Sequence, residues 1–265
     1  MTTTDEGKMS FLEHLGELRT RIIWSLVPSA VGLLVAFHYS DKVLLYLRRP
    51  LDRVNVQLVA LTPTESFWTS MKISMVLGVV FAMSVILWQV WAFVSPGLHK
   101  HERRFAGPFV LFGTLLFLIG SAFALLVVVP FALTFLLNFG KEQGITPMIS
   151  VSSHVDFVIK FTLAFGLVFE LPLVLTMLSK MGVVTPQFLS KNRKYAILIN
   201  FIIAAILTPT PDILNQSLMA GPLCVLYEIG IISARIFGKR APKVLPPVPA
   251  ETASEPPPPP TEVSS

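Results

Sequence analysis

Six apolar runs, separated by short polar segments, make up most of this chain: Ile22–Tyr39, Ile73–Val94, Phe109–Leu137, Phe157–Leu178, Tyr195–Leu207 and Ile213–Ala234. A helix needs roughly 20 apolar residues to cross a hydrocarbon core about 30 Å thick, and four of the runs reach that length. The third is long enough to tilt or bend, and Pro130 is the expected place of the bend. The fifth, about 13 residues, makes only about 20 Å of helix. The sixth is long enough but carries Asn215, Gln216 and Ser217 in its first turn and Glu228 near its end. The TPTPDI segment between these two runs is too short and rigid for anything but a tight hairpin. The pattern predicts an all-α polytopic membrane protein with six transmembrane helices, the last two short.

Composition agrees. Of 265 residues, 53% are hydrophobic and 14% charged, with a mean hydropathy of +0.68. That balance excludes a soluble domain of this size. The single cysteine, Cys224, lies in an apolar run, so a disulfide within the chain is impossible. The basic residues behind the pI of about 9.4 are spread over the loops flanking the apolar runs. A nucleic-acid partner is therefore not expected, since it would call for a patch on one soluble face. The chain opens with polar, mixed-charge residues and has no small-residue cleavage site after the first run, so that run is expected to be a permanent span.

Lysine and arginine set the orientation. The amino-terminal segment, the 95–107 and 180–194 loops and the carboxyl tail hold 14 of the 21; the opposite-side segments hold 7. The positive-inside rule then places both termini in the cytoplasm. The first external loop, about residues 40–72, is the only sizeable extramembrane segment, with short helices expected around Lys42–Arg48 and Thr64–Met71. Residues 1–237 read as one transmembrane domain. From Gly238 the chain is a Pro-rich cytoplasmic tail, with Pro256–Pro260 consecutive, expected to be disordered. No internal repeat stands out.

Candidate chemistry gathers in a few polar groups. In WQVWAFVSPGLHKHERR, Trp88 and Trp91 suit the headgroup layer, and Lys100, Arg103 and Arg104 mark a cytoplasmic loop. Glu102 is the one acid among these basic side chains and is a candidate for binding a cation. Residues Ser10–Arg21 read as an amphipathic helix leading into the first span, with Ser10 and Glu13 as a capping box. Glu17 is either paired with Arg21 four residues on or open to a ligand. Glu170 lies near the middle of the fourth span, two residues before Pro172, where an acid costs at least a few kcal/mol unless paired, wetted or neutral. Asp212 is placed to cap the sixth run, which Gln216 also begins. Lys72 and Lys160 lie near external span ends, where snorkelling accounts for them. No HExxH, GxSxG or CxxC is present, and no histidine has metal-ligand spacing, so neither an enzyme nor a cofactor is indicated.

The strings FLEHLGELRTR, LTPTESFWTSMKIS, WQVWAFVSPGLHKHERR, FGLVFELPLVL, ILTPTPDILNQ and YEIGIISAR resemble, in order and spacing, the TatC family, the core integral-membrane component of the twin-arginine protein translocase. The resemblance runs from about Phe11 to Arg240. It implies a glove-shaped, concave six-span protein of the cytoplasmic (inner) membrane with an external cap. It implies a receptor for signal peptides that carry two consecutive arginines on folded cargo, driven by the proton-motive force. Implied partners are those signal peptides, single-span TatA/TatB-type membrane proteins, further copies of itself and the bilayer. By the same resemblance, Glu17 and Glu102 form the arginine-binding surface, with Arg19 and Arg104 of the same motifs. Glu170 lies in the concave face, and Gln216 with Asp212 docks the single-span partners. The chain departs from the family in one place: TPTPD has one residue more than the expected TPPD.

Elementary energetics bear on that implication. A carboxylate suits the planar fork of arginine, and lysine cannot reproduce the fit. Exposed ion pairs yield only about 1 kcal/mol each, whereas micromolar binding takes about 8 kcal/mol. The apolar part of a signal peptide must supply the rest by lying along the spans. A rival reading is a small-solute or ion transporter using Glu170 as a protonatable site; it lacks a second buried polar partner at comparable depth. A membrane-embedded enzyme has no nucleophile with its base.

Overall fold

The computed structural model describes residues 11–52, 56–97, 105–142, 144, 148–208 and 213–238. Glu102, Arg104, Asp212, Ser10 of the expected capping box and the Pro-rich segment from 239 lie outside the described residues. The described chain is helical apart from one small strand pair. Helix α1 spans Phe11–Phe37, α2 Ser40–Leu47 and α3 Arg49–Asp52; strand β1, Leu58–Val59, precedes α4, Glu65–Val94. Then come α5 (Ala106–Phe123), α6 (Val129–Glu142), strand β2 (Ile149–Ser150), α7 (Val151–Phe169) and α8 (Leu171–Met181). The last elements are α9 (Pro186–Lys191), α10 (Arg193–Leu207) and α11 (Ile213–Phe237).

Five helical stretches among the described residues are long and apolar enough to cross a bilayer: Glu13–Phe37, Glu65–Val94, Ala106–Gly140, Val151–Met181 and Gln216–Phe237. Of the two helices expected to be short, only the fifth run is: it forms α10, whose 15 residues make about 22 Å of helix, less than a ~30 Å core. The sixth forms α11, whose 25 residues make about 37 Å because its polar first turn continues the helix. The expected helix at Lys42–Arg48 is present as α2. Residues Thr64–Met71 are instead the first two turns of α4, which continues without a break to Val94.

The third run is irregular, but one turn before the expected place. Residues Ala124–Val128 form a π-helical turn joining α5 to α6, and Pro130 is the second residue of α6. Proline has no amide to donate, and its ring crowds the carbonyl four residues back. That carbonyl belongs to Leu126, inside the widened turn, so the perturbation appears upstream of the proline that causes it.

Lipid-facing helices gain nothing from shedding water against each other, so close backbone approach and interhelical hydrogen bonds hold a bundle together. Helix α1 lies along α4, with Gly32 and Gly78 face to face. A methyl group on Gly78 would sit 2.5 Å from the Ser29 carbonyl oxygen and 2.7 Å from the Leu33 nitrogen. Helix α5 packs on α7, and α11 packs on α8 and α10. Between them sits the main apolar core, with Val128, Val129, Phe161, Phe165, Met219 and Leu223 fully buried.

The segment linking α1 to α4 is built by polar contacts. Strand β1 pairs in parallel with β2, Leu58 opposite Ile149 and Val59 opposite Ser150. The buried Glu65 carboxylate accepts the amides of Leu61 at 2.6 Å and Thr62 at 3.4 Å, tightening the turn that starts α4. Ser150 caps α7 by accepting the Ser153 amide at 3.1 Å. The imidazole of His154, buried at 1% exposure, meets the Leu47 carbonyl at 3.0 Å and ties α2 to α7. The expectation that Lys72 and Lys160 simply snorkel is corrected here. Lys72 donates to Asp156 at 2.6 Å and to Ser152 at 3.2 Å; Lys160 donates to the Ile206 carbonyl at 3.3 Å. Each found a partner on a neighbouring helix end, which linear sequence does not place beside it.

Candidate functional site

Glu17 is positioned by the packing of α1 on α4. His14 stacks on Phe93 with ring centroids 4.3 Å apart. Two turns along, Arg21 bridges the two helices: it donates to Glu17 Oε1 at 3.1 Å and to Gln89 Oε1 at 3.2 Å. The other oxygen, Glu17 Oε2, is buried and has no hydrogen-bond partner among the described residues; His14 Nδ1 lies 3.8 Å from it. The expected i, i+4 pair with Arg21 therefore forms, and it leaves half of the carboxylate unsatisfied. A buried acceptor in that state costs about 1–3 kcal/mol, and it is a place where an added N–H donor gains the most. Arg19 is exposed on the same turn.

Glu102 and Arg104 fall outside the described residues, but the chain limits where their loop begins. Glu102 follows Phe93 by nine positions, and Phe93 is the residue stacked on His14. The described end of α4 thus lies beside the start of α1.

Glu170 sits at a break. It is the last residue before α8, and its amide donates to the Leu167 carbonyl at 3.1 Å in a tightened turn. Pro172, at the start of α8, offers no amide to the Val168 carbonyl, which is why the fourth run is two helices rather than one. The side chain is 4% exposed, and neither carboxylate oxygen has a hydrogen-bond partner among the described residues. It points into a notch left by Gly113 on α5: a methyl group there would lie 3.2 Å from Glu170 Oε2. Glu17 belongs to a different helix pair, α1 with α4, so the structure does not bring Glu170 to it.

Gln216 is on the first turn of α11, and its side-chain amide donates to the Phe201 carbonyl on α10 at 3.1 Å. It is one of several polar ties of this pair, with Asn200 Nδ2 to Cys224 Sγ at 3.6 Å and Arg193 to Glu228 at 2.8 Å. Asp212 is outside the described residues. Sequence reading missed Gln89, His14 and Phe93 as neighbours of Glu17. His14 was within reach of i, i+3 spacing, whereas Gln89 and Phe93 carry no local signal, because only the register of α1 on α4 brings them to Arg21 and His14.

Comparison with known proteins supplies the family. Residues 13–222 match the model of the Sec-independent protein translocase protein family, TatC. A protein of that name from Carboxydothermus hydrogenoformans is 42% identical over 233 residues, covering 88% of this chain and 96% of the relative. One from Desulforapulum autotrophicum is 43% identical over 239 residues, covering 89% and 88%. TatCy of Bacillus subtilis is 33% identical over 243 residues, covering 92% and 95%. The fold is similar to a crystal structure of the twin arginine translocase receptor TatC, with a TM-score of 0.73 at 42% identity, covering 84% of this chain and 98% of that one. On these matches the chain belongs to the TatC family of multi-pass membrane proteins, components of Sec-independent protein translocation.

Proposed function

We propose that this protein is the signal-peptide receptor of a twin-arginine translocase, with six spans, a concave face and both termini in the cytoplasm, set in the cytoplasmic membrane. Glu17 and Glu102 receive the two arginines of a signal peptide on folded cargo, with Arg19 and Arg104 framing the surface. The observation that carries this reading is the Glu17 carboxylate. It is half-buried, has one oxygen without a partner among the described residues, and stands where α4, the helix that precedes Glu102 in the chain, packs on α1. A guanidinium fork satisfies such an oxygen better than an ammonium does.

The name of the similar crystal structure, a twin arginine translocase receptor, supports the same ligand. Gln216 and Asp212, at the start of α11, dock single-span partner subunits, and copies of the receptor associate. Glu170, unsatisfied within the bundle, offers a hydrogen-bond acceptor to a polar group that arrives with the signal peptide or a partner. Transport is driven by the proton-motive force, and the protein carries out no covalent chemistry.

Binding of a labelled Arg-Arg signal peptide and its Lys-Lys counterpart to the purified protein tests this. Tight binding of the first only, lost in both Glu17→Ala and Glu102→Ala, is expected. Equal binding of the two peptides, or indifference to both substitutions, overturns it.

A further inference from the structure

Glu17 is not empty-handed: an arginine of its own helix already holds one of its oxygens. Arg21 donates to Glu17 Oε1 at 3.1 Å and, through its other terminal nitrogen, to Gln89 on α4 at 3.2 Å. The two acceptors are independent, so Arg21 can release Glu17 while keeping Gln89. Directly beyond this bridge a groove of about 520 Å³ runs between α1 and α4. Leu18 and Arg21 stand at its mouth with Gln89 and Phe93 opposite, and it continues along α1 to Leu33. That is about 22 Å of helix at ~1.5 Å per residue. The hydroxyls of Ser25 and Ser29, which face it, are already committed to the carbonyls of Arg21 at 2.9 Å and Ser25 at 3.0 Å. The groove therefore demands nothing polar of an occupant except at its mouth.

Resting on the reading of Glu17 as an arginine receptor, we propose that Arg21 is a resident stand-in for the incoming arginine. The signal peptide displaces it from Glu17 onto Gln89, and the apolar helix that follows the arginines lies in the α1–α4 groove. Charge and shape agree on this occupant: a cation is wanted at the mouth, beside the unpartnered Glu17 Oε2, and an apolar rod below it. The stand-in also gives selectivity. A ligand must outbid a guanidinium already in place, which an ammonium does poorly because it cannot reproduce the fork.

The experiment uses the full chain in nanodiscs, with Arg-Arg and Lys-Lys signal peptides and an Arg-Arg peptide truncated before its apolar segment. Arg21→Gln removes the competitor, and the Arg-Arg peptide should bind roughly fivefold tighter, the worth of one exposed ion pair, with the Lys-Lys peptide gaining at least as much. Gln89→Leu removes the fallback acceptor and should weaken binding by a similar factor. These opposite signs cannot come from misfolding, which would weaken both. Weaker binding in Arg21→Gln, or no change in either variant, overturns the stand-in while a loss in Glu17→Gln keeps the receptor reading. If Glu17→Gln binds normally, the receptor reading falls with it. Ala30→Trp, which fills the groove, should weaken the full peptide and leave the truncated one unaffected. An unaffected full peptide overturns the groove as the seat and assigns it to lipid or a partner helix.

Discussion

The Glu65 carboxylate reaches from the first turn of α4 to the amide of Ser152 on α7 at 2.7 Å, joining residues 87 positions apart. Its second oxygen takes the amides of Leu61 and Thr62. One side chain thus closes the turn before α4 and fixes α4 to the end of α7 beside the β1–β2 pair. Glu65→Ala should destabilise the protein, because the amides of Leu61, Thr62 and Ser152 lose their acceptor. Thermal unfolding in detergent and protease sensitivity of residues 53–64 would measure this. An unchanged midpoint together with unchanged proteolysis would refute the role.

The Gly32–Gly78 contact makes a second prediction. Gly78→Ala puts a methyl 2.5 Å from the Ser29 carbonyl oxygen, so α1 must move off α4. Overpacking of this kind costs about 1–3 kcal/mol. Because Arg21 and Gln89 meet only while these helices stay in register, the substitution should also weaken Arg-Arg peptide binding. Ala substituted at the exposed Gly16, with nothing within 4 Å of the added atom, is the control and should leave binding intact.

Glu170 separates stability from function. Both its oxygens are buried without a hydrogen-bond partner among the described residues. Replacing an unsatisfied acid by an apolar side chain of similar length removes a penalty of about 1–3 kcal/mol. Glu170→Met should therefore raise the thermal midpoint in detergent while lowering cargo transport. A lower midpoint would mean that the carboxylate has a partner in the resting protein.

Short helices act on the membrane. With 15 residues, α10 is about 22 Å long, so the bilayer must thin beside it or its polar ends sit in hydrocarbon. We expect local thinning at α10 to ease cargo passage. Adding four leucines to α10 should reduce transport and leave signal-peptide binding as it was; unimpaired transport would count against thinning.

Much of this was legible in the linear chain. Apolar runs gave the spans because a bilayer admits only backbone that satisfies itself, so length and hydropathy suffice. The Glu17–Arg21 pair was readable from i, i+4 spacing, and the break near Glu170 from Pro172. Less local features were not. Lys72 looked like a snorkelling side chain because Asp156 is far away in sequence, and the bend assigned to Pro130 appears one turn earlier because a proline perturbs the carbonyl behind it.

The sequence alone determined that this is a helical membrane protein of the TatC family, where its helices lie, and which acids stand out against an apolar background. These follow from solvation and covalent spacing, which are local. Tertiary structure decided what those acids meet: that Glu17 is half-held by Arg21 above a groove, that Glu170 has no hydrogen-bond partner among the described residues, and that Glu65 joins α4 to α7. Such facts depend on the register of one helix against another, set by close approaches such as Gly32 on Gly78, and no pattern within a single helix encodes that register.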